Sequence, residues 1–473
     1  MKRTPSPIGL ISALGALGLI VVWVATQSAE GLFFVTLSTL SFLSLALVFS
    51  VRGTQELSNP IALVMFNIGI GVLVRSYYMA FSENREVGKV FTLGRDYVEF
   101  LLPTFYVLLG MLVFSLFFYL AFQYQWNKIP ARLIGRGVQT DWSEKKAHLL
   151  ILLFLGISIL GLVLFISSMG IKSVLLELTQ SSEKRFIEVE GEGYKYAALG
   201  YYRWMVSLAQ ISLYLSLIIY LNKTTNSKKF LLWLILSAAL SLFFPFFTSS
   251  RSSIGLILFT IMIILSVYRK INFGLVATAG LAGVLMFNYM TQLRYSRWAD
   301  ASDLDNKNLF ELFVFNRNLA DISKTAHIIN GVPEEIEYKY GSSLLSVFVS
   351  PIPRTLWPEK PVLYLGKEIG KKIYKVGERV NTGIPPGFIA ELFLNFGLLG
   401  ILSGMGLLGL FLGGLYSAIK HYPVVHDGHI LLYAILVVFS AIVILGSSFS
   451  QGIIAILQLY LPSWLINKYL SRT

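Results

Sequence analysis

Long apolar runs separated by short polar joints organise this chain. Stretches able to cross roughly 30 Å of hydrocarbon lie near 8–25, 31–49, 60–81, 101–122, 148–168 and 203–221. Six more lie near 230–248, 253–268, 272–290, 387–416, 429–447 and 451–466. The pattern predicts about twelve transmembrane helices, within a range of roughly eleven to fourteen because 253–268 and 451–466 are short for a crossing. One interval breaks the rhythm: 291–386 is long, polar and late. The expected fold class is therefore all-α, a polytopic helical integral membrane protein. Its helices one to nine and their short loops occupy 1–290, a large external loop 291–386, and the last three helices 387–473.

Two loop segments carry patterns of their own. Over 308–330, Phe310, Phe313, Val314, Leu319, Ile322 and Ile328 fall mostly on one helical face, which predicts an amphipathic helix lying on the membrane surface or capping the bundle. Between the fifth and sixth spans, SSEKRFIEVEGEGYKY is polar and is expected to be partly helical.

Composition agrees with the spans. The 473 residues are 55% hydrophobic and 14% charged, more apolar surface than a soluble domain can hide. A formal charge of +13 invites nucleic acid as a partner, but cytoplasmic Lys and Arg are what set membrane topology, and no nucleic-acid partner is expected. With the N-terminus inside, the cytoplasmic joints collect Lys2, Arg3, Arg52, Lys128, Arg132, Lys145, Lys228, Arg269 and Lys420 with few acids. Both termini then face the cytoplasm. The basic 291–386 loop faces out, as long loops are exempt from the rule. MKRTPSP ahead of 8–25 resembles a signal peptide, yet the next apolar run follows at once, so a retained first helix is expected. The absence of cysteine excludes disulfides, thiolate metal sites and thiol catalysis.

Candidate chemistry concentrates late. Arg354, Lys360, Lys367, Lys371, Lys372, Lys375 and Arg379 crowd a proline-rich loop and suit a phosphorylated or otherwise anionic ligand. Four prolines around Arg354 in PIPRTLWPEKP stiffen the backbone, useful if Arg354 and Lys360 hold a diphosphate; a structural turn is the alternative, as it is for Arg379. Arg251 in TSSRSS has hydroxyls on both sides, a composition suited to an oxyanion, against the alternative of an arginine snorkelling at a helix end. Arg294 and Arg297 in QLRYSRW share a helical side, with Tyr295 and Trp298 as sugar-stacking or interfacial residues. Arg203 opens the sixth span and Arg75 lies inside the third, where it calls for a carboxylate partner. Glu391, among Phe388, Ile389, Leu392 and Phe393, is a general-base candidate or one half of an ion pair with a loop cation. His327 is a second base candidate or a surface histidine, and Asp321 is a reserve base candidate beside it. No Walker loop, dinucleotide fingerprint, HExxH or GxSxG occurs, so neither cofactor nor metal is expected.

TSSRSSI opening a span, YGSSLL followed by PIPRTLWPEKP, and NTGIPPGFIAELFLNFGLLG opening a late span occur in the order and layout of the Wzy-type O-antigen polymerases, which the chain resembles. The resemblance implies a metal-independent membrane glycosyltransferase of surface-polysaccharide (lipopolysaccharide) biosynthesis in the bacterial inner membrane. Donor and acceptor would be undecaprenyl-diphosphate-linked glycans, joined at the periplasmic face, with a chain-length regulator and a flippase as partners. It assigns the donor diphosphate to Arg251 and Arg354, with Arg379 after them, and carries over no catalytic base. The related ligases have a His-Asn pair before the late span; this chain has Asn381-Thr382 and then Pro385-Pro386, without histidine, which favours polymerase over ligase. A flippase-like transporter and a non-catalytic subunit of an assembly complex are the competing classes. The sequence shows no repeat between its halves of the kind transporters often carry.

Overall fold

In hydrocarbon a backbone N–H or C=O finds a partner only within its own segment or a closed sheet, so apolar runs of this length fold as helices. The computed structural model describes residues 28–50, 58–81, 98–135, 142–169, 186–189, 193–196, 200–222, 227–247, 250–268, 319–349, 365–375, 384–421 and 426–470, with isolated positions 283, 285, 289, 314, 352, 357 and 359. In chain order the early helices are α1 (Ala29–Ser50), α2 (Pro60–Phe81), α3 (Val98–Gln123), α4 (Lys128–Leu133), α5 (Glu144–Met169), α6 (Gly200–Leu221), α7 (Ser227–Phe247) and α8 (Arg251–Tyr268). The later ones are α9 (Ile322–Gly331), α10 (Ser342–Val349), α11 (Leu365–Lys372), α12 (Phe388–Lys420), α13 (Asp427–Ile444) and α14 (Phe449–Leu470). Among the described residues nine helices are long and apolar enough to cross a membrane: α1, α2, α3, α5, α6, α8, α12, α13 and α14; α7 holds a shorter apolar stretch. The chain is a polytopic helical membrane protein. The expected spans at 8–25 and, for the most part, 272–290 lie outside the described residues.

The polar interval after α5 departs from expectation. Instead of helix it forms an antiparallel hairpin of β1 (Phe186–Val189) and β2 (Gly193–Tyr196), with Phe186 opposite Tyr196 and Val189 opposite Gly193. Aromatic and β-branched residues around a glycine-bearing three-residue connection favour a hairpin over a helix. The helix expected over 308–330 is also shorter where it is described. It starts at Ile322, because Asp321 takes an extended conformation and caps it, accepting hydrogen bonds from Ser323 N and Lys324 N.

The chain falls into two compact units. Unit 1 comprises 1–131, 314–422 and 436–457, and unit 2 comprises 132–313, 423–435 and 458–473. In unit 2, the Phe165 and Phe244 rings meet edge to face at 5.1 Å beside buried Val206, and Ser212 Oγ donates to Ile151 O at 3.1 Å, tying α6 to α5. In unit 1, α12 packs along α3 through a glycine ladder. A Cβ on Gly409 would lie 2.3 Å from Phe114 O and one on Gly413 2.4 Å from Phe118 O, so only glycine lets the two backbones approach this closely.

α12 is two helices joined by a sharp break at Phe396 (φ −141°, ψ 20°) and Gly397 (φ 60°, ψ −147°). A Cβ on Gly400 would meet Leu392 O at 2.2 Å, so the short first segment folds back along the longer second one. Two other helices change winding midway, with π segments at Gly69–Val74 in α2 and Phe439–Ile444 in α13. Such wide turns free backbone groups and collect at functional sites.

Candidate functional site

Charged and amide side chains inside a membrane body are costly unless paired, and they mark candidate sites by default. In unit 1 they gather where the late segment docks. Asn67 of α2 accepts from Ala320 N at 2.6 Å with Oδ1. Its Nδ2 donates to Ala441 O and Ile442 O of α13, each at 3.1 Å. Gly71, at the midpoint of the 22-residue α2, makes room for the incoming backbone: a Cβ there would sit 1.6 Å from Ala320 O. The segment Leu319–Asp321 therefore reaches the middle of a span. From there α9 climbs until Asn330 Nδ2 donates to Glu99 O, beside the start of α3, at 2.9 Å. Irregular backbone at that depth is tolerated where protein supplies its partners. α9 is buried on nearly every side, so it is an embedded helix and not one lying on the membrane surface.

Arg75 gets the carboxylate its position calls for. Its guanidinium pairs with Asp321, both side chains 2% exposed, and donates to Val314 O from Nε at 3.2 Å and Nη2 at 2.8 Å.

His327 lies on α9, half-buried. Its Nδ1 is 2.8 Å from Ser323 O, an acceptor-only carbonyl, so Nδ1 carries the proton and Nε2 keeps a lone pair in the neutral ring. The Tyr374 ring stacks on the imidazole at 5.3 Å and 23°. Glu391 is buried in the first segment of α12. Its Oε1 accepts from Ser343 Oγ at 2.9 Å and its Oε2 from Phe449 N, at the start of α14, at 2.6 Å. Asn395, one turn on, donates from Nδ2 to Ser343 Oγ and to Glu391 O at 2.7 Å each, and accepts from Gly341 N at 2.8 Å. Among the described residues the carboxylate is met by a hydroxyl and an amide, not by the loop cation considered from sequence. Both of its oxygens tie the late segment and α14 to α12. Glu391→Gln can keep only one acceptor oxygen, so unfolding stability is expected to fall by about 1–3 kcal/mol. Lost turnover at unchanged stability would instead mark Glu391 as a base.

The cationic loop is partly described. In α11, Leu365 and Ile369 are buried while Lys371 and Lys372 are exposed. Glu368 is held between Lys339 at 2.7 Å and Lys372 at 3.0 Å; burial raises its carboxyl, but these two hydrogen-bonded cations bring it net below its ordinary value. Ile384 N donates to Gly366 O at 3.0 Å, and Gly387 at φ 82° turns the chain into α12. Arg354, Lys360, Arg379, Arg294 and Arg297 lie outside the described residues. Arg251 and Arg203 belong to unit 2. Arg251 is the first residue of α8, half-buried beside a Ser250–Ser253 hydroxyl pair at 2.7 Å. An arginine opposes the helix dipole there unless an anion joins it. Arg203 lies over the Phe165 ring at 5.5 Å.

Comparison with family models, curated proteins and solved structures finds no match. The geometry stands on its own. It brings forward Asn67, Gly71, Ser343 and Asn395, none of which sequence reasoning placed in a site, and it turns Asp321, a reserve base candidate in the sequence, into the ion-pair partner of Arg75 and the cap of α9. A lone Asn in PIALVMFNI and an i, i+4 Glu-Asn pair in ELFLN were the signals available.

Proposed function

We propose that this protein is a membrane glycosyltransferase that polymerises lipid-diphosphate-linked oligosaccharide repeat units, with the late segment and both termini oriented as the charge pattern predicts. One observation carries it. The late polar segment does not hang free of the membrane body; an ion pair, an asparagine and a glycine-lined contact hold it within unit 1. A substrate whose anionic head sits at the membrane face and whose chain sits in lipid calls for such an arrangement. In the reaction, an acceptor hydroxyl attacks the anomeric carbon of the donor, the bond from that carbon to the diphosphate oxygen breaks, and the lipid diphosphate leaves with the electron pair. Cationic side chains neutralise the charge that develops on it: the resemblance assigns this role to Arg251 in one unit and to Arg354, with Arg379 after it, in the other, where the loop composition adds Lys360. His327 Nε2, with its lone pair and partial exposure, is the better-suited acceptor for the hydroxyl proton; Glu391 organises the segment.

A transporter for the same lipid-linked glycan is the second reading. It is favoured by the broken α12 and the π segments midway along α2 and α13, since discontinuous helices build transporter sites. Purified protein in proteoliposomes with a lipid-linked repeat unit separates the two. A transferase yields a ladder spaced by one repeat; a transporter moves glycan across the vesicle and yields none. Arg251→Ala is expected to cut ladder formation about 10²–10³-fold, the usual effect of removing one charge-stabilising donor, with Arg251→Lys partly active because a point charge loses the planar fork. Full activity in Arg251→Ala removes that residue from the site.

A further inference from the structure

α10 is built inside out for a helix in water. Its sequence SSLLSVFV buries Ser343 and Ser346, while Leu345 and Phe348 are 61% and 74% exposed. The inward face is polar and satisfied: Ser343 bonds Glu391 and Asn395, and Ser346 Oγ donates to Ser343 O at 2.5 Å. The outward face is apolar; on α12, Phe396 at the break, which lies against Gly341 just ahead of α10, is exposed, as are Leu399 and Leu407 further along. α12 is a candidate span, so its exposed leucines meet lipid. Just ahead of α10 the character reverses. Glu334, Glu335 and Glu337 are all exposed, and a run of carboxylates of that kind belongs in water. Tyr340, also exposed, stands between the two, where tyrosine collects at membrane interfaces.

We propose that α10 is immersed in the hydrocarbon of the bilayer, a short lipid-facing helix of the late segment whose occupant is the membrane itself. The water boundary then falls between Glu337 and Leu345. An eight-residue helix survives there because its entry is tied down: Lys339 N donates to Leu394 O at 2.8 Å, and Leu344 N and Leu345 N donate to Gly341 O at 3.1 Å each. The placement holds whatever reaction the protein performs, and it puts the Ser343–Glu391–Asn395 tie directly behind a lipid-facing wall.

The cysteine-free chain makes the test direct. Single cysteines at Leu345, Phe348, Glu337 and Leu407, each in otherwise unaltered protein, are spin-labelled after reconstitution into phosphatidylglycerol–phosphatidylethanolamine vesicles. Collision rates with oxygen and with a water-soluble nickel chelate are then compared. Labels at 345 and 348 are expected to behave like the one at 407, with oxygen favoured severalfold over nickel, and the label at 337 to show the reverse. Nickel access at 345 and 348 equal to that at 337 overturns the proposal. Protection from both reagents also overturns it, since a protein partner would then cover the face. Because the four positions are exposed, labelling leaves the packed interior intact, and size-exclusion elution at the unlabelled position confirms it.

Discussion

Asp321→Ala is expected to destabilise unit 1 by about 3–5 kcal/mol, the range for removing one member of a buried ion pair. The reason is what remains: Arg75, 2% exposed, stays in place with its charge uncompensated by its carboxylate. Asp321 also caps α9 through Ser323 N and Lys324 N, a role worth about 1 kcal/mol. Asp321→Asn separates the two contributions, since it keeps an acceptor for the cap and removes the charge. Arg75→Ala combined with Asp321→Ala is expected to recover part of the loss, because no unpaired charge is then left inside. Chemical unfolding of wild type, Asp321→Ala, Arg75→Ala and the double variant in mild detergent measures the cycle, with Asp321→Asn measured beside them. Equal stability of Asp321→Ala and wild type would mean that the pair does not hold the late segment.

The second large effect lies on the face between α3 and α12. Gly409→Ala puts a methyl 2.3 Å from the Phe114 carbonyl oxygen. Overpacking against mobile side chains typically costs about 1–3 kcal/mol. Here the obstacle is backbone, so the cost is expected at or above the top of that range, with Gly409→Leu failing to assemble. Gly156 and Gly255 are helical glycines with nothing within 4 Å of a built Cβ, and their Ala variants are expected to be neutral or slightly stabilising, by up to about 1 kcal/mol. Thermal stability of the Ala series reads this contrast. Uniform effects at 156, 255 and 409 would contradict the ladder.

How far the sequence led can be seen residue by residue. The helices were legible because an apolar run of about 20 residues has one fold open to it in lipid. Arg75 advertised a partner, and the structure supplies Asp321. The partner's identity was hidden because the two residues are far apart in the chain, as are Asn67 and Ala320. Gly71 looked like any other glycine in an apolar helix until the backbone it admits was in place. The late segment misled in a specific way. Lys324 and His327 in ISKTAHIING look like the polar face of a surface helix, yet the helix is embedded, with Ser323 O and Tyr374 accommodating the histidine. The hairpin at Phe186–Tyr196 was missed because charge in SSEKRFIEVEGEGYKY masked the alternation. For the cationic loop, the chemistry read from Arg354, Lys360 and Arg379 rests on composition and resemblance, whereas Glu391 and His327 now have partners and atoms.

Embedding of the late segment is the point on which the rest depends, and thiol accessibility measures it directly. Ser323→Cys, a near-isosteric change at a buried position, and Glu337→Cys at an exposed one are prepared in purified protein held in nanodiscs, where both faces are open to reagent. The expected result is rapid modification by a charged maleimide at 337 and protection at 323, with the protection at 323 lost when Arg75→Ala is added. Modification at 323 as fast as at 337 in the otherwise wild-type chain would show that the segment lies on the surface, and would contradict the account.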